Sequence, residues 1–390
     1  MPMRRLEPGQ IHAGLGLPCD ICDRAGRLML KAGQIIPNEH QVERLIEQGI
    51  YGDIDLDEEE APAREQHHRV SVYWRLVELR GAVANAHAAI LTEGDRGSPM
   101  ATYLRLAGTV VELCSLDADA ALGSVQLQRP ADYCARHAVN TAIVSELLLV
   151  QRGVDTASRL PLLAAALTMN LAMRSLENQL YSQSEPLTAE QKRAVAMHPG
   201  QAVEFLTARG VDEQTWLGTV LQHHELLDGS GYPAGLAGER ILPSAQVIGI
   251  ADRYCAMVTE RAYRAGTAPN AALREIFLAH GRGLDPILAA QMVKEIGIYP
   301  PGALVKLANG ETAVVVKRSL NASQPIVRSI LSASGLRLPA FPKRRTSHPS
   351  FAVTDVLSHA RMPANVDGAS LWSTTMSDDA LEESSGDQNG

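Results

Sequence analysis

His223 and His224 head the run His-His-Glu-Leu-Leu-Asp-Gly-Ser-Gly-Tyr-Pro, which closes at Pro233. Imidazole nitrogens are ligands for Zn, Fe and Mn, and the Asp-Gly-Ser-Gly that follows imposes a tight turn. Upstream, Asp212 is placed to cap a helix whose apolar stripe is Trp216, Leu217, Val220 and Leu221. Extending that stripe by three and four residues reaches the two histidines. Taken alone, such a pair reads most simply as one core histidine and one helix end. Asp252 changes that reading. It lies in the apolar run Val247, Ile248, Ile250, Ala251, Tyr254, Val258, for which Ser244 is the expected cap. A buried carboxylate is costly unless it is paired or binds a metal. Two further histidines fit the same pattern. His198 ends a helix opened by the capping box Thr188-Ala189-Glu190-Gln191, with a new helix expected from Pro199-Gly200. His137 shares a stripe with Tyr133, Thr141, Val144 and Leu148. Each of these is singly a hydrogen-bonded core histidine. Together, four imidazoles and a carboxylate from apolar helices suit Fe, Mn or Zn, and the carboxylate favours Fe or Mn.

His223 to Pro233 resembles the HHExxDGxGYP signature of the HD-GYP family of cyclic di-GMP phosphodiesterases. The similarity continues through Gly235-Leu236-Ala237-Gly238-Glu239, Ala251-Asp252-Arg253-Tyr254 and Arg261-Ala262-Tyr263-Arg264. It covers roughly 130–300. The resemblance implies a mainly α fold, an HD-domain-like helical bundle of metal-dependent phosphohydrolases. By position it implies metal ligation by His137, His198, His223, His224 and Asp252. It implies ligand contacts from Asp228, Gly231, Tyr232 and Pro233, with Arg261 and Arg264 against phosphates.

The family's other hallmark, a His-Asp pair in a Leu-His-Asp-Ile-Gly-Lys context, is degenerate. It falls on Leu167-Thr168-Met169-Asn170-Leu171-Ala172-Met173, which puts Met169 at the His, Asn170 at the bridging Asp and Met173 at the Lys. A thioether is a poor ligand for hard ions, and a neutral amide cannot compensate two of them. Tyr133 stands where some members carry an acidic ligand. The expectation is therefore a domain with reduced Fe or Mn occupancy and impaired catalysis, which binds cyclic di-GMP or a partner protein. The alternative is an active phosphodiesterase giving pGpG and GMP.

The chain of 390 residues is too long for one small core. A net charge of −8 and 4% aromatics argue against general nucleic-acid binding or base-stacking platforms. Five irregularly spaced cysteines argue against a disulfide framework, and Cys19-x-x-Cys22 alone is too few ligands for structural zinc. No apolar run is long enough for a membrane span and no signal peptide is visible, so a cytoplasmic protein is expected. Small β-rich modules flank the helical domain. The expected divisions are an α+β module at 1–60, a helical connector at 62–128 that could serve a homodimer, and the helical domain at 129–299. A β module follows at 300–345, seeded by Asn309-Gly310, and then a mostly disordered tail at 346–390.

Overall fold

The computed structural model describes residues 71–372 apart from 93–97, 128–131, 261–265, 280–282, 340, 359–361, 364–365 and 367, together with separate short segments within 1–52. The chain divides into two units, Met1–Val70 and Ser71–Gly390. In the first, strands β1 (Arg4–Arg5), β2 (Ile21–Cys22), β3 (Leu28–Leu30) and β4 (Tyr51–Gly52) form an antiparallel sheet in the order β1-β4-β2-β3. β2 and β3 form a hairpin that turns at Gly26, whose φ of 79° is a conformation that suits glycine. Val42 and Ile50 join Ile11, Leu17, Ile21 and Ile36 in a small apolar cluster. Cys19 and the acidic run Asp53–Glu60 lie outside the described residues.

The second unit is mainly helical. Helices α1 (Val72–Leu91), α2 (Pro99–Leu116) and α3 (Ala118–Gln126) precede α4 (Tyr133–Gln151), α5 (Thr156–Thr168), α6 (Arg174–Ser182), α7 (Ala189–Ala208), α8 (Gln214–Gln222), α9 (Pro243–Val258), α10 (Pro269–Leu278) and α11 (Pro286–Ile296). The stretch expected as a connector is not set apart. Leu76, Val83, Val110 and Leu113 share one apolar cluster with Val139, Ile143, Leu163, Trp216 and Ile248. The physical reason is the stripe on α1, which has no other apolar surface to cover it. Among the described residues no helix is long and apolar enough to cross a membrane.

The β module comprises β5 (Leu304–Leu307), β6 (Thr312–Lys317), β7 (Ile326–Leu331), β8 (Lys343–Arg345) and β9 (Val353–Leu357), ordered β8-β7-β6-β5-β9 and antiparallel throughout. Gly310, at φ 84°, turns β5 into β6. Residues 343–345 form the edge strand β8, with Arg344 bound to Glu311 at 3.1 Å. One expectation is corrected here. Within the stretch expected to be a disordered tail, β9 and the helix Gly368–Trp372 are formed, with Val353 and Val356 packed on one face of the sheet and Leu371 and Trp372 on the other. The Trp372 indole, in helix α12 (Gly368–Trp372), stacks on Tyr73 and donates to the Val316 carbonyl at 2.9 Å. The acidic stretch 373–390 lies outside the described residues.

His87 is fully buried in the helical core; its Nε2–H donates to the Leu167 carbonyl at 2.8 Å, and Nδ1 has no hydrogen-bond partner among the described residues. Burial pushes its pKa down to about 4. The unfolded chain, with an ordinary histidine near 6.5, takes up this proton first, so stability falls as pH drops from about 6.5 to about 4. His87→Gln keeps a donor for Leu167 but cannot titrate. Its melting temperature is expected to depend less steeply on pH across that window than the wild type's, as differential scanning calorimetry would read.

Candidate functional site

Helix α7 does not stop at His198 as expected but runs on through Pro199. Proline has no N–H, so the carbonyl four residues earlier, Val195, loses its intrahelical donor. The His198 side chain takes that place: its Nδ1–H donates to the Val195 oxygen at 2.6 Å. Helix α8 reaches the same geometry by ending. Its last carbonyls lack helical partners, and His223 Nδ1–H donates to the Val220 oxygen at 2.7 Å. A carbonyl can only accept, so both rings are protonated at Nδ1 and present bare Nε2 atoms. These face one another at 3.3 Å with no proton between them. His224 completes the group, and one ligand atom from each of the three histidines lies within 4.8 Å of the others.

Asp252, on α9, joins this cluster to α4. His137 Nε2–H donates to Asp252 Oδ1 at 2.6 Å, and Asp252 Oδ2 lies 4.0 Å from His224 Nδ1. The close approach of α8 and α9 depends on Gly249, where a Cβ would stand 2.3 Å from the His223 carbonyl oxygen. The expected caps are displaced by small amounts. Glu213 rather than Asp212 caps α8, because its longer carboxylate reaches the amides of Thr215 and Trp216. Ser244 does not cap α9; its hydroxyl meets Thr219 Oγ1 at 2.7 Å.

Burial sets the protonation states. It lowers the pKa of His198 to about 3, with His223 adding to the effect, and it lowers His223 and His224 as well. All three are neutral at pH 7 and available as ligands. Burial opposes ionisation of Asp252, but the His137 hydrogen bond and the neighbouring imidazoles outweigh it and hold the carboxyl below its ordinary range. The donor set is therefore three neutral imidazoles and one carboxylate, with two lone pairs already converging. It fits a divalent cation.

The turn after His224 is built by a residue that the sequence did not single out as a site. The buried Glu225 carboxylate accepts from Ala234 N–H at 2.7 Å and Leu236 N–H at 2.8 Å. It thereby folds the Gly231-Tyr232-Pro233 segment back over the histidines. Gly231 is required because a Cβ there would stand 2.4 Å from Leu226 N. Tyr232 stacks on His224 with ring centroids 4.6 Å apart. Asp228 is exposed and accepts from Ser230 N–H and Oγ–H within its own turn. A cavity of about 460 Å³ opens beside the cluster, bordered by His223, His224, Gly231, Tyr232, Asp252 and Arg253 among others. Pro233 is exposed, and Arg261 and Arg264 lie outside the described residues.

Met169, Asn170 and Met173 follow a different logic. Met169 is fully buried in the apolar core. Asn170 Nδ2–H donates to Glu177 Oε1 at 3.0 Å. Met173 is half-buried beside a short 3-10 turn, Leu171–Met173. None of the three borders the cavity. Tyr133 stacks between His137 and Tyr181, with centroids 5.7 and 4.7 Å away.

Residues 127–288 match the HD domain family. The "Cyclic di-GMP phosphodiesterase PA4108" of Pseudomonas aeruginosa is 29% identical over 202 residues, 51% of this chain and 48% of its own length. The "Cyclic di-GMP phosphodiesterase PdeB" of Borreliella burgdorferi is 26% identical over 186 residues, 48% of this chain and 49% of its own. The chain thus spans about half the length of these curated relatives. Among solved structures, "Bd1817, a HDG"Y"P protein from Bdellovibrio bacteriovorus" superposes with a TM-score of 0.51 at 16% identity, covering 75% of this chain and 99% of that one. That likeness supports the fold.

Replacing Pro199 tests the orientation of His198. In Pro199→Ala the restored backbone N–H competes for the Val195 carbonyl. Nitrogen-15 NMR is expected to show His198 shifting from the Nδ1–H tautomer towards a mixture, while His223 keeps its own.

Proposed function

The chain carries an HD-GYP family domain, and from that premise we propose that it is a cyclic di-GMP receptor whose hydrolytic activity is impaired. The observation that carries the reading is the contrast between the histidine cluster with its turn and the residues at the remaining positions that the resemblance would make ligands. The cluster of His198, His223 and His224, with the Gly231-Tyr232-Pro233 turn, keeps every ligand atom and the loop geometry. His137 and Asp252 are bonded to each other at 2.6 Å, and the positions that the resemblance assigns to further ligands hold Met169, in the apolar core, and Asn170, tied to Glu177.

His198, His223 and His224 would hold one Fe(II) or Mn(II), with Asp252 as the carboxylate. A bound divalent ion would neutralise phosphate charge and lower the pKa of a coordinated water. The protein's own contributions are more specific. The Val195 and Val220 carbonyls fix which nitrogen each ring presents. Glu225 holds the turn that carries Tyr232 over His224. Gly231, Tyr232 and the adjoining wall form a face against which a purine can lie, and Tyr232, pushed above its ordinary pKa by burial and then by Asp252, stays a neutral phenol able to donate a hydrogen bond. Asn170 cannot play the bridging carboxylate's part, because its amide carries no charge and is tied to Glu177. Asp252 is already engaged by His137.

A second reading is favoured by the intact histidine group and by the names of the relatives: a phosphodiesterase that works with a single ion. The two separate by rate. With Mn(II) or Fe(II) added, the purified chain is expected to bind cyclic di-GMP in calorimetry and to hydrolyse it at well below ~1 per second, the lower end for competent enzymes. Turnover above that rate would sink the receptor reading. Metal analysis gives an independent check. At most one tightly held ion per chain is expected, rising towards two in the double variant Met169→His, Asn170→Asp. A wild-type chain that retains two ions through dialysis contradicts the account of Asn170.

A further inference from the structure

Helix α9 presents one stripe of side chains to the cavity: Gln246, Gly249, Arg253 and Met257 follow at helical spacing and all border it. Arg253 is the one lysine or arginine in that wall among the described residues, and it is half-buried. It has no ion pair and no hydrogen bond among the described residues.

Its isolation is informative because acids are at hand and engaged elsewhere. Both Glu225 oxygens take backbone N–H groups from Ala234 and Leu236. Asp285 caps α11 through the amides of Ile287 and Leu288. Asp252, the residue just before Arg253, takes His137. Each carboxylate in the wall is thus used within the fold, and none of them pairs with the Arg253 guanidinium, which borders a cavity beside the histidine cluster. A guanidinium offers a planar fork of donors that matches two phosphate oxygens at once.

We propose that Arg253 binds a phosphate of the ligand, gripping phosphodiester oxygens from the α9 wall of the pocket. The assignment rests on the reading of this pocket as a cyclic di-GMP site. It makes Arg253 a residue that selects for an anionic ligand, acting separately from the histidines.

The test uses the full chain with Mn(II) present and compares wild type, Arg253→Gln and Arg253→Lys by isothermal titration calorimetry. Arg253→Gln is expected to bind cyclic di-GMP ~10–100-fold more weakly, the loss of charge-assisted hydrogen bonds. Its affinity should also depend less on salt. Arg253→Lys, which keeps the charge without the fork, should fall between. Mn(II) affinity, titrated alone, should be unchanged in both variants, as should the melting temperature. Wild-type affinity and salt dependence in Arg253→Gln would overturn the assignment, and so would a parallel loss of Mn(II) binding. If the wild type binds no cyclic di-GMP, the receptor reading falls, and pyrophosphate titrated in the presence of Mn(II) decides Arg253. Weaker pyrophosphate binding in Arg253→Gln upholds the assignment, and equal or absent binding in both proteins removes it.

Discussion

The site depends on where two protons sit. An imidazole has two nitrogens, and a cluster of histidines becomes a cation site only if each ring turns the right one inward. Here the choice is made by backbone carbonyls that have lost their helical partners, Val195 because Pro199 lacks an N–H and Val220 because α8 ends. Both use the same spacing, a histidine donating to the carbonyl three residues before it. What looks like two helix imperfections is thus one device used twice. The cost of an interior proline is set against an orientation that no flexible side-chain partner would hold as firmly.

The rest of the pocket follows from that fixed pair. His223 can sit against α9 only because Gly249 has no side chain, and this closeness brings Asp252 within reach of both His224 and His137. Across the cluster, the half facing α4 is closed by contacts of a different kind. Tyr133 stacks on His137 and on Tyr181, Met169 adds to the apolar core, and the Asn170 amide satisfies Glu177. By the family resemblance these are positions of metal ligands, and here Tyr133 and Met169 are held by ring stacking and apolar packing. Asn170 Nδ2–H serves the Glu177 carboxylate, while its buried Oδ1 has no hydrogen-bond partner among the described residues.

Much of this was legible beforehand, and the failures share a cause. The stripes on α4 and α9 pointed His137 and Asp252 inward, the capping box started α7 at the right residue, and the run from His223 to Pro233 located the turn. The reading of Pro199 went wrong because proline was taken as a helix boundary. Tertiary packing and the His198 side chain compensate the missing bond, which local rules do not register. Glu225 was overlooked because a carboxylate that serves backbone amides eleven residues away has no periodic signature. Arg253 was passed over for a similar reason: its meaning lies in which neighbouring acids are already engaged. The tail was misjudged because the acidic composition of 373–390 coloured the whole stretch, although Val353, Val356 and Trp372 carry enough apolar surface to cover a sheet and a helix.

Charge balance links these pieces. The imidazoles are neutral, since burial drives their pKa values down, and Asp252 is the carboxylate that meets them among the described residues. One divalent ion beside one carboxylate leaves a single positive charge, and Arg253 contributes a second. Two further carboxylates border the cavity, Glu225 and Asp285, and both are held by backbone amides. Under the proposed reading, Arg253 would meet one phosphodiester charge where these acids cannot pair with it, and burying an unmatched charge there is expensive. Under the receptor reading proposed above, an amide at Asn170 and an arginine at Arg253 would both suit a pocket that holds an anion with fewer metal ions and more protein.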